Sequence, residues 1–114
     1  MDKSYEPIIS QLIKRIDAEQ IYVLDLKTIK LFLVVWNENK SSFRKRVQIR
    51  RIFYSADIKL DTPFDIISLT SQEVEMAIKK GDIVASNILN GGELLYQKED
   101  YENRKLLWYF AVIV

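Results

Sequence analysis

The 114-residue chain predicts an α+β domain, a small mixed β-sheet flanked by helices, and three features carry that expectation. Ile8, Ile9, Leu12, Ile13 and Ile16 recur at helical spacing. Two runs rich in β-branched and aromatic residues, Ile21 to Leu26 and Ile29 to Trp36, follow with only Lys27-Thr28 between them. Further on, Thr70 with Glu73 three residues later forms a capping-box pattern, and Gly81 stands where the ensuing helix should stop.

The elements are justified in chain order. Ser4 is a candidate cap for a first helix from about Tyr5 to Asp17. Pro7 then falls in the first turn, where its missing N–H costs nothing. The two apolar runs read as strands joined by a tight antiparallel hairpin. The second, Leu31-Phe32-Leu33-Val34-Val35-Trp36, is continuous enough to be buried on both faces. From Ser41 to Tyr54 the apolar residues Phe43, Val47, Ile49, Ile52 and Phe53 fit neither period cleanly; helix is the favoured reading. Phe64 to Leu69 is a third strand, Thr70 opens the capped helix, and Asp82 to Leu89 forms another stopped by Asn90-Gly91-Gly92. A short closing strand at Leu94-Leu95-Tyr96 completes the order α-β-β-α-β-α-α-β.

Composition removes several chemistries. The chain has no cysteine, which excludes disulfides, thiolate metal sites and cysteine nucleophiles. It has no histidine either, which removes the commonest general base and the imidazole ligands of most zinc and iron sites. Carboxylates, lysines and tyrosines are what remains. Asp2, Lys3 and Glu6 interrupt the first residues, so no signal peptide is expected and the predicted location is cytoplasmic. No repeat, low-complexity tract or linker divides the chain, and residues 1–114 are expected to form one domain.

The stretch Phe64-Asp65-Ile66-Ile67-Ser68-Leu69-Thr70, a helix, and then Ile88-Leu89-Asn90-Gly91-Gly92-Glu93-Leu94-Leu95-Tyr96 resembles the second half of minimal nucleotidyltransferase domains of the polymerase-β superfamily. Ile16-Asp17-Ala18-Glu19-Gln20-Ile21-Tyr22-Val23-Leu24 is similar to the helix end and first strand of that family, so the likeness covers roughly residues 5 to 97. It implies a nucleotidyltransferase-like fold. Active members carry a Gly-Ser turn after the first strand, two aspartates one residue apart on the next strand, and a third on a later one. Together these grip metal ions and nucleotide phosphates.

Against that pattern this chain is depleted. Its first glycine is Gly81, and Leu24-Asp25-Leu26-Lys27 stands where the phosphate-cradling turn belongs. Ile29 and Leu31 occupy the places of the paired aspartates, Lys30 lies between them, and only Asp65 corresponds to the third. One carboxylate cannot hold two magnesium ions against their hydration shells. The resemblance thus implies a degenerate member with no metal, no cofactor and no catalytic residue, Asp65 being either a remnant ligand or base facing an old cleft, or a sheet-edge carboxylate that is solvated or paired with a lysine or arginine. Asp25 reads as a turn or strand-end aspartate rather than a substitute ligand.

Two surface features remain. Lys40, Arg44, Lys45, Arg46, Arg50 and Arg51 are six of seventeen basic residues, with no acid between Ser41 and Ala56. They form a solvated helix face, a contact for an acidic protein, or a phosphate contact. The chain then ends in nine apolar or aromatic residues, Leu106 to Val114, too few to span a bilayer as a helix. This run is either a core strand or an interface carried by Trp108, Tyr109 and Phe110.

Relatives of the resembled family commonly pair with an all-helical HEPN-type protein, as in toxin–antitoxin modules. The leading expectation is therefore a non-catalytic interaction module, a homodimer or the companion of such a helical partner, with no membrane association. A metal-independent nucleotide or nucleic-acid binder using Lys30, Arg44, Arg46 or Arg50 is the second reading. An active nucleotidyltransferase with rearranged ligands at Asp25 and Asp65 is the third.

Overall fold

The computed structural model describes residues 5–37, 42–56 and 62–99. Eight elements follow one another as α1 (Glu6–Ile16), β1 (Gln20–Asp25), β2 (Lys30–Val35), α2 (Ser42–Ser55), β3 (Phe64–Leu69), α3 (Ser71–Lys80), α4 (Ile83–Gly91) and β4 (Glu93–Gln97). This is the expected α+β order.

Connection length dictates the pairing. Only residues 26–29 join β1 to β2, so the two strands fold back antiparallel, with Asp25 opposite Lys30 and Gln20 opposite Val35. Lys27 takes the left-handed conformation that closes this tight link. The β2-to-β3 connection carries α2 and leaves those strands parallel, in register from Lys30 beside Phe64 to Val35 beside Leu69. Strand β4 adds antiparallel to β1 with a bulge, giving a mixed sheet in the order β3-β2-β1-β4.

Side-chain alternation divides the apolar residues into two cores. Ile21, Val23, Phe32, Val34, Trp36 and Ile66 meet Ile8, Leu12 and Ile16 of α1 and Ile49, Ile52 and Phe53 of α2 on one face. Tyr22, Leu33 and Val35 meet Val74 of α3 and Ile88 of α4 on the other. Phe32 to Val35 of central β2 are buried throughout, which explains the unbroken apolar run.

Terminal chemistry sets the helix limits. Thr70 and Glu73 form both bonds of the capping box at the start of α3, and left-handed Gly81 ends it. Asp82 caps α4 through the Ala85 N–H. Helix α1 begins after Tyr5, which makes no side-chain cap; Ser4, the expected cap, lies outside the described residues. Helix α2 is displaced by one residue from its expected limits, and α4 runs on through Gly91 because Gly92, not Asn90, closes it.

Candidate functional site

The residues singled out from the sequence fall into separate places. Asp25 ends β1 directly opposite Lys30, whose sheet neighbour on the other side is Phe64. Asp65 is in register with Leu31, the next residue along β2, so Asp25 and Asp65 belong to opposite faces of the sheet. They cannot share a cation in this arrangement.

Each carboxylate already has partners. Asp25 accepts the Lys27 N–H at 2.9 Å and Lys30 Nζ at 3.3 Å. The backbone bond first, and the Lys30 bond second, hold its carboxyl below the usual carboxylate range. Lys30 also donates to Tyr5 Oη at 2.9 Å and lies 5.4 Å from that ring's centroid. The Tyr5 bond is the main reason its ammonium is held above the ordinary lysine value, with Asp25 adding to the effect. Asp65 accepts Arg50 Nη2 at 3.2 Å and the Ile66 N–H at 2.8 Å. It lies on a sheet edge, where an ion-paired carboxylate discourages strand addition. Among the described residues no three carboxylate, histidine or cysteine groups are placed to hold a metal.

The basic segment divides according to helix geometry. Lys45 is buried, its ammonium 5.1 Å from the Trp36 ring centroid and 3.8 Å from Glu73 Oε1. It is not available as a surface contact, which corrects the expectation for this residue. Trp36 in turn donates through Nε1 to Ser68 Oγ, tying the aromatic partner to β3. Arg50 is committed to Asp65, and Arg46 faces the β3 side, beside Ile66, Ile67 and Ser68. Arg44 and Arg51 turn toward α1. There they line a groove of about 440 Å³ with Arg15, Phe43, Val47, Gln48 and Ile52.

Arg15 was absent from the sequence-derived set. It sits on α1, separated by 29 positions from Arg44, and only helix packing brings the two together. Tyr5 was missed for the same reason, since nothing local marks a tyrosine as the partner of a lysine 25 positions on. Glu19 is a further unexpected case. Its buried carboxylate accepts Asn37 Nδ2 at 3.0 Å and Ser71 Oγ at 2.8 Å, joining the start of β1 to the first turn of α3. These bonds compensate its burial and make it a structural group. Lys40 and the interface candidates Trp108, Tyr109 and Phe110 lie outside the described residues.

Among the described residues no helix is long and apolar enough to cross a membrane. Comparison with protein-family models, curated proteins and solved structures finds no match to this chain.

Proposed function

We propose that this chain is a non-catalytic, nucleotidyltransferase-like interaction module that works in the cytoplasm by binding a protein partner or a second copy of itself. The observation that carries the reading is the state of the β1–β2 end. Lys30 places an ammonium group between Tyr5 Oη and Asp25, while Asp65, the other aspartate singled out from the sequence, is on the opposite sheet face and paired with Arg50. Two-metal phosphoryl transfer needs several oxygen ligands converging on one locus. Asp25 and Asp65, on opposite faces of the sheet, do not converge on one.

The test is transfer of labelled AMP from ATP with magnesium, by the full chain and by Asp65→Ala. No transfer above the protein-free control is expected from either. Transfer that vanishes in Asp65→Ala would restore the enzyme reading. Light scattering after size exclusion, alone and with candidate partners, reads the binding role. A strictly monomeric chain that engages no partner counts against it.

The second reading, a metal-independent binder of nucleotide or nucleic acid, is favoured by one feature, the convergence of Arg15, Arg44 and Arg51 on a single groove. Calorimetry with ATP and with short oligonucleotides at low salt tests it. Heats that remain at the dilution baseline would remove it.

A further inference from the structure

We infer that the outer edge of β3 is a docking site at which an acidic, extended segment of a partner protein adds to the sheet as a further strand. This rests on the interaction-module reading and identifies the partner's form and charge.

Backbone bonding is the first argument. Pro63 O accepts the Lys30 N–H and Leu69 O accepts the Trp36 N–H, which fixes the phase of the parallel ladder. Asp65, Ile67 and Leu69 therefore turn their peptide groups toward β2, and Phe64, Ile66 and Ser68 turn theirs outward. Among the described strands β3 ends the sheet on this side. The chain itself seals two donors of the outward row: Asp65 Oδ1 takes the Ile66 N–H at 2.8 Å, and Glu73 Oε1 takes the Thr70 N–H at 3.0 Å. Between those seals the Ile66 C=O and the N–H and C=O of Ser68 bond to nothing among the described residues. The Ser68 hydroxyl does not compete for them, because it accepts Trp36 Nε1.

Side chains frame the same window. Arg50 of α2 reaches Asp65, and Lys45 of α2 reaches Glu73 of α3. Helices α2 and α3 pack on opposite faces of the sheet, and Asp65 shares the α3 face, so both ion pairs cross the edge of β3. Arg46 lies one helical turn from Arg50 and stands between the two crossings. It is exposed and has no ion pair among the described residues. A groove of about 360 Å³ opens beside the strand here, lined by Arg46 and by Ile66, Ile67, Ser68 and Leu69 themselves.

The free groups and the free cation identify the occupant. Unpaired peptide groups in ladder phase are matched by another strand, which supplies acceptors and donors at the same spacing. Alternation then sets its side chains. The residue opposite Ser68 points to the α2 face, where Arg46 offers a guanidinium fork, so it carries a carboxylate. Its two neighbours point to the α3 face against half-buried Ile67 and Leu69, and are aliphatic. A second copy of the chain matches the edge less well. Pairing β3 with its counterpart about Ser68 brings two Arg46 side chains together on one face, and like charges so opposed destabilise a strand pair.

The test uses the full chain and a blocked peptide of about seven residues that alternates valine with glutamate. A control peptide has the same sequence with its backbone nitrogens methylated. The first peptide is expected to bind with amide shifts confined to β3 and the facing turns of α2 and α3. The Ser68 amide should exchange freely in the chain alone and slow at least about tenfold when the peptide is bound. Arg46→Glu should weaken binding about tenfold. Lys14→Glu makes the same change in net charge at an exposed position of α1 and should leave binding unaltered. The inference is overturned if the peptide fails to bind at about 1 mM, if the methylated peptide binds equally well, or if Lys14→Glu weakens binding as much as Arg46→Glu. Slow exchange of the Ser68 amide in the chain alone also overturns it, because the edge is then already occupied, by a second copy or otherwise. Because the readouts are peptide binding and one amide, failure here leaves the AMP-transfer result, and with it the non-catalytic reading, untouched.

Discussion

The three glycines provide a severe test of the packing, because alanine at each should change stability for a different reason. Gly92 has an ordinary extended backbone, so conformational freedom is not why glycine stands there. A Cβ at this position would press on the Ile88 carbonyl oxygen of α4 and come within 3.0 Å of the Val23 carbonyl oxygen of β1. Both obstacles are backbone atoms within regular elements, and neither can rotate away. The Gly92 N–H is also bonded to Ile88 O at 2.9 Å, which pins the residue in place. Forcing one methyl into such a site costs about 2–3 kcal/mol. Its neighbour Gly91 is the last residue of α4, and a Cβ there meets only Leu24 Cδ1 at an ordinary 3.9 Å. Alanine at 91 should therefore gain about 0.5 kcal/mol by restricting the unfolded chain. At Gly81 the Cβ meets open space, but the backbone φ of 71° costs alanine about 1 kcal/mol. Equilibrium urea unfolding followed by far-ultraviolet circular dichroism measures all three. The adjacent Gly91→Ala and Gly92→Ala variants should differ by about 3 kcal/mol, on the order of 10 °C in melting temperature. A difference under about 0.5 kcal/mol would refute the claim that close backbone approach, rather than turn conformation, demands glycine at 92.

Other expectations follow from the same contacts. Lys45→Ala removes three buried methylenes and the contact with Trp36, and should cost about 2–3 kcal/mol in urea unfolding. Lys45→Met keeps the stem and should stay within about 1 kcal/mol of the parent, so equal losses in the two variants would count against stem packing. Thr70→Ala removes the acceptor of the Glu73 N–H and should cost about 1 kcal/mol, the same size of effect expected of Asp82→Ala on α4; calorimetric melting reads both. The carboxyl of Asp25 is depressed in the folded chain, so its contribution is present above the unfolded value of about 3.9 and is lost as pH falls through the lower folded value. Asp25→Asn should consequently lose less stability than the parent between about pH 4 and the acid limit of folding, and carboxyl resonances titrated in both chains would expose an error in that sign. Lys30 runs the other way: its contribution is present below about pH 10.4 and disappears as pH rises through its raised folded value, with Tyr5→Phe reducing the shift in a lysine Nζ titration.

The contrast between Lys45 and Arg44 shows what a linear charge pattern leaves undecided. The two residues are adjacent, and both belong to a stretch of six cations without an intervening acid. A helical turn of about 100° separates their directions. One side chain is consequently driven under α2 against Trp36, whereas the other opens toward α1. The segment's weak apolar periodicity hid this, because Lys45 occupies a position on the buried stripe that an aliphatic residue would have advertised. Its long stem fills the site as an aliphatic chain would, and the ammonium finds an aromatic face and a carboxylate at the end.

By itself the sequence determined the order of the elements and several of their ends. Those depend on interactions between residues close along the chain: the Thr70–Glu73 box, the left-handed Gly81, the short β1–β2 link and the β-branched runs beside it. Tertiary structure alone decided which distant residues meet. It put Asp25 and Asp65 on opposite sheet faces, gave Tyr5 to Lys30, joined Arg15 to Arg44 and Arg51, and buried Glu19 against Asn37 and Ser71. The physical reason is that hydrogen bonds within a turn or cap act at fixed short separations, whereas packing of two helices on a sheet selects faces through the summed burial of many side chains. No local pattern encodes that sum.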